Sequence, residues 1–197
     1  RCLMKKLERE FYNRDTVQVA RDLLGKRLVR VWDGTALVCR ITETEAYVGR
    51  CDKACHAYGY RRTPRTETLF APPGTAYIYL IYGMYHCLNF VTEPEGEPCA
   101  VLIRGLEAVE GEALIARNRF GVSPAEMTAY QKKQFLNGPG KVCRGLMLTR
   151  TQNGLDLTGD ELYVLDAGEA PDIIHTGKRI GIDYAEEAAE FPWRFYL

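Results

Sequence analysis

The stretch from residue 75 to residue 92 constrains the fold more than any other part of the chain. Two apolar, β-branched and aromatic runs, residues 75–82 and 85–92, flank the dipeptide Gly83-Met84. Runs of this composition on either side of a glycine-containing turn predict a β-hairpin. A third apolar run at residues 99–106 follows a turn at residues 94–98. We therefore expect a mostly antiparallel, curved sheet from which this hairpin protrudes.

The length of the hairpin loop decides which side chains share a face of the sheet. A two-residue turn would pair Tyr82 with Tyr85 and would place Tyr79 and Asn89 on opposite faces. A three-residue loop, or one bulge, would place Tyr79 and Asn89 on the same face. The sequence leaves both possibilities open. The tip, residues 82–85, is apolar and aromatic where tips are normally polar, so we expect it to insert into a partner.

Acids and aromatic residues alternate along a second predicted strand, residues 36–47. Strand periodicity places Glu43, Glu45 and Tyr47 on one face. The other face would carry the remaining residues of this segment, Thr42, Thr44 and Ala46. A carboxylate that is partly desolvated against tyrosines has a raised pKa, in the useful range for a general base. The alternative is that Glu45 is an acid at a strand edge, paired with Arg40 or Arg104.

Capping and turn signals predict the remaining elements. Asp15 and Gln18 form a capping box that opens a helix, and Gly25 ends it. Residues 48–74 are irregular, although a short helix that carries His56 could begin at Asp52. Further helices are predicted at 107–120, from 123 to about 136, at 141–148 and at 183–190, and strands at 27–32, 162–165, 173–182 and 193–197. This mixture favours an α+β fold in which residues 1–197 form a single domain.

Composition excludes several classes of protein. The chain has 197 residues, 46% of them apolar, which is enough for one sizeable core. It contains no apolar run long enough to cross a bilayer, and we expect no signal peptide. The seven cysteines include no Cys-x-x-Cys pair, so we expect reduced thiols in a cytosolic protein. They are Cys2, Cys39, Cys51, Cys55, Cys87, Cys99 and Cys143. Cys51, Cys55 and His56 lie close together, but without a second ligand pair we expect no metal site.

Local charge is more informative than net charge. Because 26 basic and 26 acidic residues balance, net charge neither favours nor excludes a nucleic-acid partner. Arg61, Arg62 and Arg65 are interleaved with aromatic residues, and further basic positions occur at 132–133, 141 with 144, and 178–179. Such clusters can form one basic face, or they are ordinary surface charge.

Tyr47, His56 and Tyr79 could stack on a planar ligand, because base–aromatic stacking contributes about 1–3 kcal/mol per base. The alternative is that these amphipathic rings only cover a core. The residues alone therefore predict a pocketed α+β domain with one carboxylate, stacking rings and some basic surface.

Four motifs give the chain a resemblance to a known family. They are Glu43-Thr44-Glu45-Ala46-Tyr47, Ala54-Cys55-His56, the segment 73–85 and Gly138-Pro139-Gly140-Lys141. With these motifs the chain resembles the alkyladenine (3-methyladenine) DNA glycosylases of the mammalian type, in a bacterial form. The resemblance covers nearly the whole chain. Its departures include His86 and Leu69, where Phe and Met are expected, which bears on the range of neutral lesions such as hypoxanthine and ethenoadenine.

The resemblance implies a role for each matching residue. It implies that Glu45 activates water as the general base, with Arg104 beside the water and the carbonyl of Ile180 holding it. It implies that three rings sandwich a flipped base and that one amide disfavours the exocyclic amine of guanine. The rings are Tyr47, His56 and Tyr79, and the amide is Asn89. It also implies that Tyr82 wedges into the minor groove. We expect further DNA contacts from Met84, Arg61, Arg65 and Lys141.

These implications define an expected activity. The protein would flip alkylated or deaminated purines out of duplex DNA and hydrolyse the N-glycosidic bond to leave an abasic site. No lysine lies near Glu45 in the motif, so we expect no strand cleavage through a Schiff base, and no cofactor. We expect a monomer in the bacterial cytoplasm, associated with the nucleoid and not with membranes. A non-catalytic nucleic-acid binder and a hydrolase of free nucleosides are the competing hypotheses.

Overall fold

A nine-stranded antiparallel sheet organises the part of the chain that the structure describes, residues 4–197 of a computed structural model. Cys2 lies outside these residues. The strands follow the order β1-β7-β2-β3-β6-β5-β4, and β9 pairs with both β3 and β8. Their bounds are β1 Lys5–Lys6, β2 Arg27–Trp32, β3 Thr35–Val48, β4 Ala76–Ile81, β5 Tyr85–Thr92, β6 Cys99–Glu110, β7 Leu162–Asp166, β8 His175–Gly177 and β9 Arg194–Tyr196.

Short helices cover this sheet and confirm the predicted α+β class. They are α1 Arg9–Tyr12, α2 Thr16–Leu23, α3 Glu112–Phe120, α4 Ala129–Lys133 and α5 Pro139–Gly145, with 3-10 turns at Tyr58–Tyr60, Glu67–Phe70, Pro124–Glu126, Arg150–Gln152 and Asp183–Glu190. Helix α2 packs on β3 and β6, and α5 packs on β5 and β6. The main apolar core lies between these helices and the sheet. None of the helices in residues 4–197 is long and apolar enough to span a membrane.

Helix α2 forms where the predicted capping box opens it, but only the Asp15 half of the box is present, because the Gln18 side chain donates to Asp22. The Asp15 carboxylate accepts a hydrogen bond of 3.0 Å from the Gln18 backbone N–H. Val19, Ala20 and Leu23 are fully buried against the sheet. This buried face of α2 packs against β3 and so fixes the position of the strand that carries Glu45.

The hairpin has a three-residue loop, so the second of the two loop lengths is the one that forms. Ile81 pairs with Tyr85, and the Met84 N–H donates to the Ile81 carbonyl at 3.1 Å. Tyr82 and Gly83 both adopt positive φ angles, 54° and 67°, a conformation that is costly for a tyrosine. In this register Tyr79 pairs with Cys87, and residue 77 pairs with residue 89. Tyr79 and Asn89 therefore lie on the same face.

The alternation along β3 is interrupted at residues 42–43. Ile41 and Thr44 are three residues apart, yet both are fully buried on the core side, where the Thr44 hydroxyl donates to the carbonyl of residue 20. The β3–β6 register shifts between them. A Cβ on Gly105 would lie 2.9 Å from Thr42 Oγ1 and 3.1 Å from Glu43 Cβ, so this irregularity requires glycine. The shift places Glu43, Glu45 and Tyr47 on the face of the sheet that points away from the main core.

Two predicted helices are wrong in extent. Residues 107–110 continue β6 and do not begin a helix, because Arg40 pairs with Glu107 in the long β3–β6 ladder. Tertiary pairing here outweighs local helix propensity. The helix predicted from 123 to 136 is two pieces. Met127 is extended at ψ 133°, and Thr128 opens α4 with a second capping box.

Three other local predictions are also corrected. No helix begins at Asp52, because its carboxylate accepts from the backbone N–H groups of Val48 and Ala54 and so stabilises turns. Only His175–Gly177 of the predicted strand 173–182 pairs with β9. The segment 183–190 is a 3-10 turn, broken at residue 186, where φ is 53°.

Candidate active site

The Glu45 carboxylate is fully buried and lines a cavity of about 120 Å³. The Tyr47 hydroxyl donates to Oε1 at 2.7 Å, and the Ile180 backbone N–H donates to Oε2 at 2.8 Å. Arg104 Nε lies 3.8 Å from Oε2. Of the two ion-pair partners considered, Arg104 is therefore the one found. Because it also lines the cavity, the pair belongs to a pocket and not to an exposed strand edge.

Burial raises the pKa of Glu45 above its ordinary value, because an ionised carboxylate is costly without water. The positive charge of Arg104 and the two hydrogen bonds from Ile180 and Tyr47 oppose this effect without cancelling it. The carboxylate is thus held by donors in its ionised form while its proton affinity is increased. This combination suits a general base.

Glu43 accepts hydrogen bonds from two arginines, and one of them, Arg104, lines the pocket. Arg104 Nε and Arg194 Nη1 each donate to Glu43 Oε2 at 3.3 Å. Glu43 therefore orients Arg104 toward the cavity. Sequence reasoning placed Glu43 on the pocket face but gave it no such role, and it gave none to Arg194.

His56 and Tyr79 form one continuous aromatic surface in the cavity. Their ring centroids lie 4.6 Å apart with the planes at 73°, so the two rings contact each other and leave no slot between them. A planar group would have to stack against this pair and not between its members. Burial and the charge of Arg65 lower the pKa of His56 to about 4, so the imidazole is neutral near pH 7. Burial and the charge of Glu45 raise the pKa of Tyr47 well above its usual value, so its hydroxyl remains a donor.

Asn89 is held in one orientation at the cavity wall. Its Nδ2 donates to the carbonyls of Tyr77 and Cys87, at 3.3 and 3.4 Å. The residue is buried and lines the cavity together with Leu69 and Leu102. Asn89 therefore presents a fixed shape to any group that enters.

The hairpin tip projects into solvent. Tyr82 is 82% exposed and Met84 is 64% exposed. Nearer the cavity, the Arg65 guanidinium lies 5.2 Å from the Tyr79 ring centroid, and Arg61 is exposed. The same hairpin therefore carries Tyr79, which lines the cavity from β4, and Tyr82, which is exposed at its tip.

A wide groove of about 660 Å³ runs beside the hairpin tip, and we call it the basic groove. Its lining includes Met84, Arg119, Lys141 and Arg144, and no acid occurs among the described residues that line it. Burial lowers the pKa of Lys141, and the charge of Arg119 lowers it further. Burial and Arg144 likewise lower the pKa of Arg119. Cations therefore repel one another here, and within residues 4–197 Lys141 donates only to the neutral Gln134 and Asn137.

The burial of Arg179 was not predicted from the sequence, where residues 178–179 were interpreted as a basic surface spot. Its side chain is fully buried and pairs with Asp52, which is also fully buried. The sequence contains no signal for this, because an arginine beside an exposed lysine has the pattern of surface charge.

Five of the cysteines are buried, namely Cys39, Cys55, Cys87, Cys99 and Cys143, whereas Cys51 is exposed. No cluster of three or more His, Cys, Asp or Glu side chains in residues 4–197 is arranged to hold a metal ion.

Comparison with known proteins gives a consistent result over the whole chain. Residues 10–197 match the family described as methylpurine-DNA glycosylase. A protein of Desulfitobacterium hafniense is 52% identical over 98% of this chain and 96% of its own length. Proteins of Clostridium perfringens and Alkaliphilus oremlandii are 51% and 50% identical over 98% of this chain and 95% of their own lengths. All three carry the name "Putative 3-methyladenine DNA glycosylase". The chain therefore belongs to the methylpurine-DNA glycosylase family and is a DNA glycosylase.

Proposed function

We propose that this enzyme flips a damaged purine out of duplex DNA and hydrolyses its N-glycosidic bond, with water activated by Glu45. The observation that carries the proposal is the buried Glu45 carboxylate, held by two hydrogen bonds at the wall of a small aromatic cavity. Most pockets for whole small molecules measure about 300–1,000 Å³. A cavity of about 120 Å³ suits a single planar group.

In the chemical step, Glu45 accepts a proton from water as the water oxygen bonds to the anomeric carbon. The glycosidic bond breaks, and its electron pair leaves with the purine. Arg104 lies beside the carboxylate, where it keeps Glu45 ionised and the water oriented, and the Ile180 backbone contributes to the water site. General-base assistance of this kind contributes typically about 10²–10⁴-fold.

The aromatic surface explains a preference for alkylated purines. An alkylated purine carries positive charge and stacks favourably on electron-rich rings. The His56–Tyr79 pair forms one wall, and Tyr47 supplies the opposing ring. Because the His56 imidazole is neutral, it does not repel a cationic base. Asn89, fixed by its two hydrogen bonds, excludes the exocyclic amine of guanine.

The exposed tip and the basic surfaces suit double-stranded DNA. Tyr82 fills the gap left by the flipped nucleotide, since apolar wedges in the minor groove are a recurrent device of DNA-bending proteins. Arg61, Arg65 and Lys141 contact phosphates, and Met84 packs beside the wedge. The uncompensated cations of the basic groove extend this surface for the DNA backbone.

The reaction ends at an abasic site. No lysine lines the cavity among the described residues. The proposed reaction therefore includes no strand cleavage through a Schiff base. We assign 3-methyladenine as the first substrate, in agreement with the names of the relatives, and hypoxanthine and ethenoadenine as further substrates. The enzyme acts as a monomer and a single catalytic domain in the bacterial cytoplasm, at the nucleoid.

The test is single-turnover base release from duplexes that contain 3-methyladenine, hypoxanthine or ethenoadenine, read by alkaline cleavage of the abasic sites. Wild-type protein is expected to release at least the first of these bases. Glu45→Gln is expected to bind the lesion duplex with wild-type affinity and to release base about 10²–10⁴-fold more slowly. Undiminished release by Glu45→Gln would refute the role of Glu45. Binding without release by the wild-type protein would favour a non-catalytic binder.

A further inference from the structure

The Arg179 side chain is a fully buried positive charge close to the active site. Its Nη1 and Nη2 both donate to the Asp52 carboxylate, and the bond from Nη2 measures 2.8 Å. The same two nitrogens donate to the carbonyls of Ala46 and Ala188, each at 2.9 Å. Both charged side chains are fully buried. Four hydrogen bonds therefore fix one guanidinium in a single orientation.

Asp52 is fixed as firmly as its partner. Besides Arg179, its two oxygens accept from the backbone N–H groups of Val48 and Ala54, at 3.1 and 3.0 Å. Val48 is the last residue of β3. The ion pair is thus anchored to the end of the strand that carries Glu45.

Arg179 reaches Glu45 by three routes. It donates to the carbonyl of Ala46, the residue after Glu45. Its guanidinium carbon lies 4.8 Å from the centre of the Tyr47 ring, whose hydroxyl donates to Glu45. It directly precedes Ile180, whose backbone N–H is the second donor to Glu45. Both hydrogen bonds to the Glu45 carboxylate therefore depend on groups that Arg179 holds.

Fold stability alone does not account for this arrangement. A buried ion pair is often no more stabilising than well-packed apolar residues of the same volume. One guanidinium nitrogen, Nε, even lacks a hydrogen-bond partner among the described residues. Burial lowers the pKa of Arg179, but the hydrogen bonds and charge of Asp52, with smaller contributions from Tyr47 and Glu45, raise it overall. The guanidinium is therefore a permanent positive charge within electrostatic reach of Glu45.

We infer that Arg179, clamped by Asp52, is a positioning residue that aligns both hydrogen-bond donors on Glu45 and sets the acidity of this base. Arg179 does not touch the base or the water in this role. The inference rests on the proposed function, because it assigns the pair to the same hydrolytic step. It predicts that the two members of the pair shift the acidity of Glu45 in opposite directions.

The experiment compares Arg179→Met, Arg179→Lys and Asp52→Asn with the wild-type protein. Single-turnover base release from a lesion duplex is measured from pH 5 to pH 9, and each rate is divided by the folded fraction from circular dichroism. Arg179→Met removes the charge and keeps a side chain of similar length. Arg179→Lys keeps the charge but lacks the several N–H donors of the guanidinium. Asp52→Asn leaves the arginine without its neutralising partner.

Arg179→Met is expected to lower the rate about 10²-fold, the cost of a misplacement of about 1 Å in a catalytic group. The acidic limb of its pH–rate profile should move to higher pH, because the ionised Glu45 loses a nearby cation. In Asp52→Asn the acidic limb should move to lower pH, because the charge of Arg179 is no longer neutralised. Arg179→Lys should keep the acidic limb of the wild-type protein and recover part of the rate.

Arg30→Met is the matched control. Arg30 is buried, its partners among the described residues are the backbone carbonyls of Val31, Leu146 and Met147, and it does not line the cavity. This variant should lose stability while the rate of its folded fraction and its pH profile stay unchanged. If the Arg179 and Asp52 variants behave in the same way, the pair is only structural and the inference is wrong. If the wild-type protein releases no base, the proposed function fails first and this inference fails with it.

Discussion

The backbone N–H of Ile180 donates a hydrogen bond of 2.8 Å to Oε2 of Glu45, across 135 residues of sequence. Ile180 lies in an irregular segment just after β8, and Glu45 lies near the end of β3. The contact joins a loop to the central sheet at a carboxylate that lines the aromatic cavity. It also supplies a fixed donor to a buried anion, which offsets part of the cost of burying that charge.

Glu45→Gln should stabilise the folded protein at neutral pH. The folded-state pKa of Glu45 is raised, mainly by burial, so the folded state binds its proton more tightly than the unfolded state does. The ionised carboxylate therefore destabilises the fold above its folded pKa, and this cost decreases as the pH falls below that value and is gone below the unfolded pKa. Each unit of pKa shift corresponds to about 1.4 kcal/mol.

Urea unfolding at pH 7.5 and pH 5 measures this difference. The variant should have the larger free energy of unfolding at pH 7.5, and its advantage should shrink at pH 5. Glu95→Gln, at an exposed acid, should show no such gap. A Glu45→Gln protein that is less stable than wild type by the same amount at both pH values would contradict the assigned environment of Glu45.

His56 should not set the acidic limb of the pH–rate profile. Its pKa of about 4 keeps the imidazole neutral where the enzyme works, so the rate should fall at low pH as Glu45 becomes protonated. We expect His56→Phe, which keeps an aromatic surface, to leave the position of this limb unchanged in single-turnover assays. A displacement of about one pH unit or more would assign the titration to His56 instead.

Tyr82→Ala should impair base release from duplex DNA without weakening the fold. The side chain is 82% exposed, and surface substitutions usually change stability by less than about 0.5 kcal/mol. Loss of one stacking contact, about 1–3 kcal/mol, predicts a rate about 5- to 150-fold lower at subsaturating enzyme. Tyr130→Ala is the control, because Tyr130 is 72% exposed and lies outside the hairpin. Equal rates for the two variants on a duplex lesion would argue against a wedge and would favour a hydrolase of free nucleosides.

Arg144→Gln should reduce the salt dependence of DNA binding. If Arg144 contacts one phosphate from the basic groove, the slope of log affinity against log salt should become less steep by about 0.9. The measurement is fluorescence anisotropy of an undamaged duplex between 50 and about 200 mM salt. Lys5→Gln is the control, since Lys5 lies on β1, at the opposite end of the strand order from the hairpin. Equal slopes for both variants would remove the groove from the DNA interface.

The sequence by itself determined the elements whose signals are local. The helix N-cap at Asp15, the hairpin around Gly83-Met84 and the acid at position 45 each depend on residues a few positions apart, and each is found in the structure. The pattern of an acid next to tyrosines on a strand indicated Glu45 as a candidate, but an acid at a strand edge paired with Arg40 or Arg104 fitted it as well. The role of general base was implied by the family resemblance.

Only the tertiary structure decided the relations between distant segments. The interruption of the side-chain alternation of β3 at residues 42–43 depends on Gly105 in the neighbouring strand. The burial of Arg179 depends on Asp52, 127 residues away. The three-residue loop follows from how β4 and β5 pair. Charge and periodicity are properties of single segments, whereas burial and register are set by the partner that each segment meets, and that partner is chosen by packing.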